Sequence, residues 1–265
     1  MTPLHNAAQK GNSDVVKTLL DQGADVDVRG LLGRTALHVA CQEGHVACIH
    51  ELMASGAQVD ARDSDTEATP LHLAAEFNHP DSVKTLVDVY KASINATDKN
   101  GNSALRRAVL KGNIDVVQTL LSLDDCDVNA KGSLGRTALH AACNKGHVAC
   151  IHALMAGGAQ IESRESELFR TPLHLAAEFN HPDCVKILIA VYKASINASS
   201  DNGRTALHLA AYAGYTDVVR VLVSNPECDV TARDGDGDTA ADDARREGHE
   251  DIVALLEAKI KGKLF

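Results

Sequence analysis

The sequence predicts an all-α solenoid of eight helix–turn–helix units, and three observations predict it. The segment TPLHLAAEFNHPD occurs at Thr69–Asp81 and again, letter for letter, at Thr171–Asp183, 102 residues later. Related tetrapeptides recur at Thr2, Thr35, Thr69, Ser103, Thr137, Thr171, Thr205 and Thr239, reading TPLH, TALH, TPLH, SALR, TALH, TPLH, TALH and TAAD; the first step is 33 residues and the other six are 34. Hydrophobic residues make up 45% of the 265, yet aromatics only 3% and Trp is absent, so the core is built of Leu, Val, Ile and Ala, which pack closely spaced helices. One unit of this size cannot cover its own apolar faces, whereas stacked neighbours can. The whole chain, residues 1–265, reads as a single domain with units starting near 2, 35, 69, 103, 137, 171, 205 and 239.

Within a unit the signals come in a fixed order. In the third, Thr69 stands where an N-cap is wanted and Pro70 follows at the first helical position. Leu71, Leu73, Ala74 and Ala75 then give a short helix with a small-residue face, and Asn78 ends it. Most units use glycine at that point (Gly11, Gly44, Gly112, Gly146, Gly214, Gly248), and both residue types tolerate the left-handed backbone of a helix C-cap. Pro80 opens a second helix whose Val83, Leu86 and Val87 keep the helical period, and a turn-rich segment such as TDKNGN (Thr97–Asn102) leads on. Units two and five share GHVACIH, units three and six share their opening stretch, and units one, four and seven share DVV, so a block of three units reads as duplicated. The last unit carries TAADDARREGHED, a polar face suited to a terminal cap. The first begins at Met1-Thr2 with no preceding loop, which leads us to expect a piece of a longer protein. The basic tract at Lys259–Lys263 reads as a fraying terminus.

The stretches TALHVACQEGHVACIHELMASGAQVDA (Thr35–Ala61) and TALHLAAYAGYTDVVRVLV (Thr205–Val223) resemble the ankyrin repeat, with T-P-L-H-x-A-A near the start and G-A-x-V-x-A near the end. The resemblance covers essentially the entire chain. It implies an ankyrin-repeat stack of helix pairs, right-handed and L-shaped in section, with projecting β-hairpin loops. It also implies that the His of the tetrapeptide hydrogen-bonds the Thr and nearby backbone, linking repeats. Arg106 and Asp242 replace that His in units four and eight, so those two junctions depart from the pattern.

Other functions are weighed and set aside. A formal charge of −10 without a basic run argues against nucleic acid. No apolar stretch is long enough to span a bilayer. Seven cysteines without staple-like spacing point to a reducing compartment, cytoplasmic or nuclear, where Asn95 and Asn197 would serve as turn residues rather than glycan acceptors. Cys41, His45, Cys48 and His50, echoed at Cys143, His147, Cys150 and His152, have zinc-ligand chemistry, but the repeat register makes the cysteines small core residues, so no metal is expected. The recurrent His lacks a paired nucleophile, so the chain is read as not an enzyme and as needing no cofactor. Asp234–Arg245 opens like a calcium loop but carries Thr239 and Arg245 where such a loop needs Gly and Glu. Asn129, with Leu121, Asp127 and Val128 before it, fits the context in which some ankyrin repeats are hydroxylated on asparagine, beside its plainer reading as a turn residue.

An ankyrin stack leaves one face without packing duty. Three of the four Phe, namely Phe77, Phe169 and Phe179, fall on it. Its centre of gravity is expected in units four to seven, at Leu110, Lys111, Asn144, Lys145, Phe169, Phe179 and Tyr212, rimmed by Arg136, Arg170 and Arg204. A protein or peptide segment carrying acidic and apolar residues is the expected ligand, bound by a monomer. The function expected is a non-catalytic interaction scaffold; the alternative is a regulatory fragment of a larger enzyme, kinase or channel.

Overall fold

The computed structural model describes residues 1–262. Among them sixteen α-helices follow one another in pairs. They fall into two compact units, Met1–Ser133 and Leu134 onward. In the first, the pairs are α1 (Pro3–Gln9) with α2 (Ser13–Asp21), α3 (Ala36–Glu43) with α4 (Val46–Ala54), α5 (Pro70–Glu76) with α6 (Pro80–Lys84), and α7 (Ala104–Lys111) with α8 (Ile114–Leu121). Helix α6 continues as a π-helical turn, Thr85–Val89. In the second unit they are α9 (Ala138–Lys145) with α10 (Val148–Ala156), α11 (Pro172–Glu178) with α12 (Pro182–Ala190), α13 (Ala206–Tyr212) with α14 (Thr216–Ser224), and α15 (Ala240–Arg246) with α16 (Glu250–Ile260).

Each unit packs as two rows. The first helices of successive pairs lie side by side, α1 on α3 on α5 on α7 and, in the second unit, α9 on α11 on α13 on α15. The second helices make the other row. The rows meet on wholly buried Leu37, Leu71 and Leu73 against Ile49, Leu52 and Leu86, and on Leu139, Leu173 and Leu175 against Ile151 and Leu154. The alanine five residues after each N-cap, from Ala40 to Ala244, is fully buried in repeats two to eight. Nothing larger than a methyl group fits there without spreading the rows, which is why a core so poor in aromatics packs.

Each first helix starts at the residue expected. Thr69 is extended (φ −89°, ψ 165°) with Pro70 in the first turn, and the same N-cap backbone recurs at Thr2, Thr35, Ser103, Thr137, Thr171, Thr205 and Thr239. Six of these helices carry His three residues after the cap, in the place where a capping box usually has Glu. In repeat three the Thr69 amide N–H donates to His72 Nδ1 at 3.1 Å, and Thr69 Oγ1 lies 2.8 Å from the same nitrogen. An amide can only donate, so Nδ1 is the bare nitrogen and Nε2 carries the proton. His72 Nε2 then donates to the Asn102 carbonyl at 2.9 Å, thirty residues on. His5, His38, His140, His174 and His208 make the same bond to Arg34, Ala68, Arg170, Arg204 and Asp238. One neutral ring thus caps its own helix and holds the next repeat. In repeat eight Asp242 supplies the cap, taking the Thr239 N–H at 3.0 Å and its hydroxyl at 2.7 Å. In repeat four Ser103 Oγ accepts from the Arg106 N–H at 3.3 Å.

A second ladder joins the turns between paired helices. His79 Nε2 donates to the Gln42 carbonyl at 2.8 Å, and His181 to Asn144 at 3.0 Å, satisfying the last turn of the preceding helix. The ring lies over that helix's C-cap: a Cβ on Gly44 (φ 77°) would stand 2.3 Å from His79 Nδ1. Gly11, Gly146 and Gly214 meet His45, His181 and His249 in the same way. Where the C-cap is Asn78 (φ 62°) or Asn180 (φ 59°) instead, the following turn carries Asn113 or Tyr215 rather than His. The choice between Gly and Asn at the cap therefore follows the side chain lying above it.

Three expectations change. The projecting β-hairpins do not form as strands: among the described residues there are only two isolated antiparallel bridges, Thr97 with Ser103 and Arg233 with Thr239. Each loop closes instead on one short backbone bond, such as Gly30 N–H to Arg34 O at 2.7 Å, and two contain a 3₁₀ turn. Asn95 and Asn197 sit in turns but do more. The Asn95 side chain donates to the Asp125 carbonyl and accepts from the Asp127 N–H, and Asn197 does the same with Glu227 and Asp229. The basic tail expected to fray is helical through Ile260, while Lys263 lies outside the described residues.

Burial holds the imidazoles of His38, His72 and His174 down to about 4, against an ordinary 6.5. Between those values the unfolded chain binds protons that the folded chain refuses. Stability is therefore full above pH 6.5 and falls as pH drops toward 4, by up to about 3 kcal/mol per ring. Urea melts across this window should show that slope. In His72→Gln, which is weaker at neutral pH, the slope should be shallower by about 1.4 kcal/mol per pH unit, one proton's worth.

Candidate functional site

The loops between repeats are stacked tip to tip. In the first unit Ser64 N–H donates to Leu32 O at 2.7 Å and Lys99 N–H to Thr66 O at 2.8 Å. In the second unit Ser166 N–H donates to Leu134 O at 2.7 Å, Asp201 N–H to Leu168 O at 2.8 Å, and Gly235 N–H to Asn202 O at 2.8 Å. Turning the carbonyl toward the next loop places Leu32 (φ 57°), Glu67 (φ 54°), Leu134 (φ 61°) and Phe169 (φ 52°) in the left-handed region. For an L-residue with a bulky side chain that conformation costs about 1 kcal/mol or more. Three of the four are also large apolar residues exposed to water. Strain and exposure together mark these tips as kept for something other than stability.

The aromatics expected on the free face lie at the surface. Phe77 is 47% exposed, Phe169 48%, Phe179 45% and Tyr212 44%. Phe77 and Phe179 are the C-cap residues of α5 and α11, and Tyr212 is the last residue of α13. The residues expected to form one groove are divided between the two units. Phe77, Leu110 and Lys111 belong to the first, where Lys111 Nζ lies 3.1 Å from Glu76 Oε1 and Leu110 is half-buried. Arg136, Asn144, Lys145, Phe169, Arg170, Phe179, Arg204 and Tyr212 belong to the second. There Lys145 is exposed, Asn144 is half-buried, and the Arg204 guanidinium sits 5.1 Å from the centre of the Tyr212 ring.

The arginines expected as a basic rim already have carboxylate partners. Arg136 Nε lies 2.5 Å from Glu165 Oε2, and Arg170 binds Glu165 as well as Glu178, the latter at 2.7 Å. Arg204 reaches Asp234 at 3.3 Å and Asp243 at 2.9 Å. Arg34 with Asp63, and Arg107 with Asp98 and Glu76, repeat the theme in the first unit. Glu165, Asp98 and Asp243 are buried. Burial pushes the Glu165 carboxyl up, but the bonds from Arg170 and Arg136 outweigh it and hold it below its ordinary range. Burial wins at Asp243, whose carboxyl is pushed up and whose Oδ2 has no partner. The ladder had a readable signal: an Arg just before the helix N-cap, at 34, 136 and 204, with an acid 29 or 30 residues on.

The other reactive groups are occupied in packing. Cys41, Cys48, Cys143 and Cys150 are buried among apolar neighbours, and burial pushes their thiols up. Cys184 and Cys228 are likewise pushed up to about 11. His45 Nε2 donates to the Gln9 carbonyl at 3.2 Å, while His50 and His152 pair with the hydroxyls of Tyr90 and Tyr192 at 2.6 Å. Among the described residues no three potential ligands gather as a metal site, and no helix is long and apolar enough to cross a membrane. In the calcium-like loop, Asp234 Oδ1 takes the N–H groups of Asp236 and Asp238 at 3.0 and 3.1 Å, which closes the turn. Asn129 is half-buried, and its N–H donates to Asp127 Oδ1 at 2.9 Å.

Comparison with known families agrees with this architecture. A family model described as "Ankyrin repeats (3 copies)" matches residues 1–63, 60–132 and 124–200, and one described as "Ankyrin repeats (many copies)" matches residues 191–244.

Packing and surface roles should separate in stability. Glu165→Ala strands Arg136 and one arm of Arg170 and should cost about 3 kcal/mol in urea unfolding. Phe169→Ala, half-exposed and relieved of nothing buried, should cost under about 1 kcal/mol.

Proposed function

The chain belongs to the ankyrin-repeat family, and on that premise we propose that it is a non-catalytic scaffold that captures a protein or peptide segment. Ankyrin repeats generally mediate protein–protein interaction. The observation that carries the reading is the exposure of Phe169, Phe179 and Tyr212, together with Leu134 and Leu168, in the second unit of a chain with only 3% aromatics. Large apolar groups left in water at recurring repeat positions supply the anchors that dominate interface energetics, each worth ~2 kcal/mol or more when buried by a partner. The ladders leave these groups out, so they contact a partner without disturbing the stack. The arginine–carboxylate pairs hold the loop tips in place beneath them. In the first unit Phe77, Leu110 and Lys111 offer a similar, smaller set.

Pull-down from a cell extract, read by mass spectrometry, tests this. The chain should retain a defined set of proteins that the Phe169→Ala/Phe179→Ala/Tyr212→Ala variant loses, with the variant's melting temperature within a few degrees of the original. A large fall in melting temperature would assign these side chains to packing instead.

A further inference from the structure

We propose that the second unit's loop tips select an extended partner segment carrying Lys or Arg at every third residue, with apolar residues between them. The inference rests on the binding role above and adds the partner's chemistry. The three guanidinium groups once expected to attract acids, Arg136, Arg170 and Arg204, are matched within the fold by Glu165, Glu178, Asp234 and Asp243. What remains exposed and unpaired at three successive tips is one carboxylate each: Glu167, Asp201 and Asp236. The exposed cations nearby are fewer or engaged: Arg164 donates to the carbonyls of Phe169 and Ser199, Arg233 donates to Gly237 O, and Lys145 stands at the end of α9. The field at the tips is therefore negative beside exposed Leu168 and Phe169.

Spacing supplies the second half. The tips follow one another in register, tied by the bonds from Asp201 N–H to Leu168 O and from Gly235 N–H to Asn202 O. Successive repeats are as far apart as packed helices, about 8–10 Å. A polyproline-II segment rises about 3.1 Å per residue with three residues per turn, so every third side chain falls on one face about 9 Å from the last. Cations at that interval meet one carboxylate per repeat, and the intervening apolar residues lie toward Leu168 and Phe169.

Fluorescence anisotropy with three labelled synthetic peptides decides the matter: (Lys-Leu-Pro) repeated four times, the same composition with the lysines clustered at one end, and (Glu-Leu-Pro) repeated four times. The spaced lysine peptide should bind about tenfold tighter than either control, and weaken as salt is raised. Glu167→Lys/Asp201→Lys/Asp236→Lys should remove that preference. Glu167→Gln/Asp201→Asn/Asp236→Asn, which changes charge with little change of shape, should do the same if the reversal variant folds poorly. Equal binding of the clustered peptide, tighter binding of the glutamate peptide, or no binding of the spaced lysine peptide overturns the inference. In each of those cases loss of captured proteins by the aromatic variant would still uphold the broader scaffold role, so the two failures are distinct.

Discussion

A neutral imidazole with two jobs organises this protein. Its bare Nδ1 takes the N-cap amide of its own helix, and its Nε2–H donates to a carbonyl of the following repeat. The ring is rigid, so satisfying one bond aims the other. The arrangement works only while the ring is uncharged, since a proton on Nδ1 would face an amide N–H with both groups donating. Burial enforces that state and makes the same group a point of acid sensitivity. Repeat eight shows what the alternative looks like: Asp242 caps its helix as well as a histidine does but reaches no further repeat.

Around that bond the other contacts fall into layers. Alanines set the distance between first helices, turn histidines close the helix ends over Gly44 and its equivalents, and arginine–carboxylate pairs hold the loops. Every layer joins one repeat to its neighbour, as a stack of units that cannot fold alone requires. The side chains left outside all the layers are then informative. Phe169 and Phe179 flank the Arg170–Glu178 pair in sequence but stay exposed, and the loops carry strained apolar tips that no packing demand explains.

The fold was largely legible in the sequence because its signals are local. Thr-Pro at helix starts and Gly or Asn at helix ends act through backbone geometry within a few residues, and each landed where expected. The exposure of Phe77, Phe169, Phe179 and Tyr212 was legible from repeat register. The state of the arginines was not. Arg136 and Glu165 lie 29 residues apart, and a charge count cannot tell a free guanidinium from one held against a buried carboxylate. The strained loop tips were hidden for a different reason. Leu32, Leu134 and Phe169 are poor left-handed residues, and only the carbonyl bond to the next loop forces the conformation. The β-hairpins came from family resemblance, and single backbone bonds close the loops instead.

The most direct test of the account is the protonation of the tetrapeptide histidines, read from imidazole nitrogen shifts by NMR. The account predicts that His38, His72 and His174 carry hydrogen on Nε2 alone at neutral pH and remain so at pH 5, well above the value of about 4 that burial imposes. Rings protonated on Nδ1, or already charged at pH 5 in the folded chain, would contradict it.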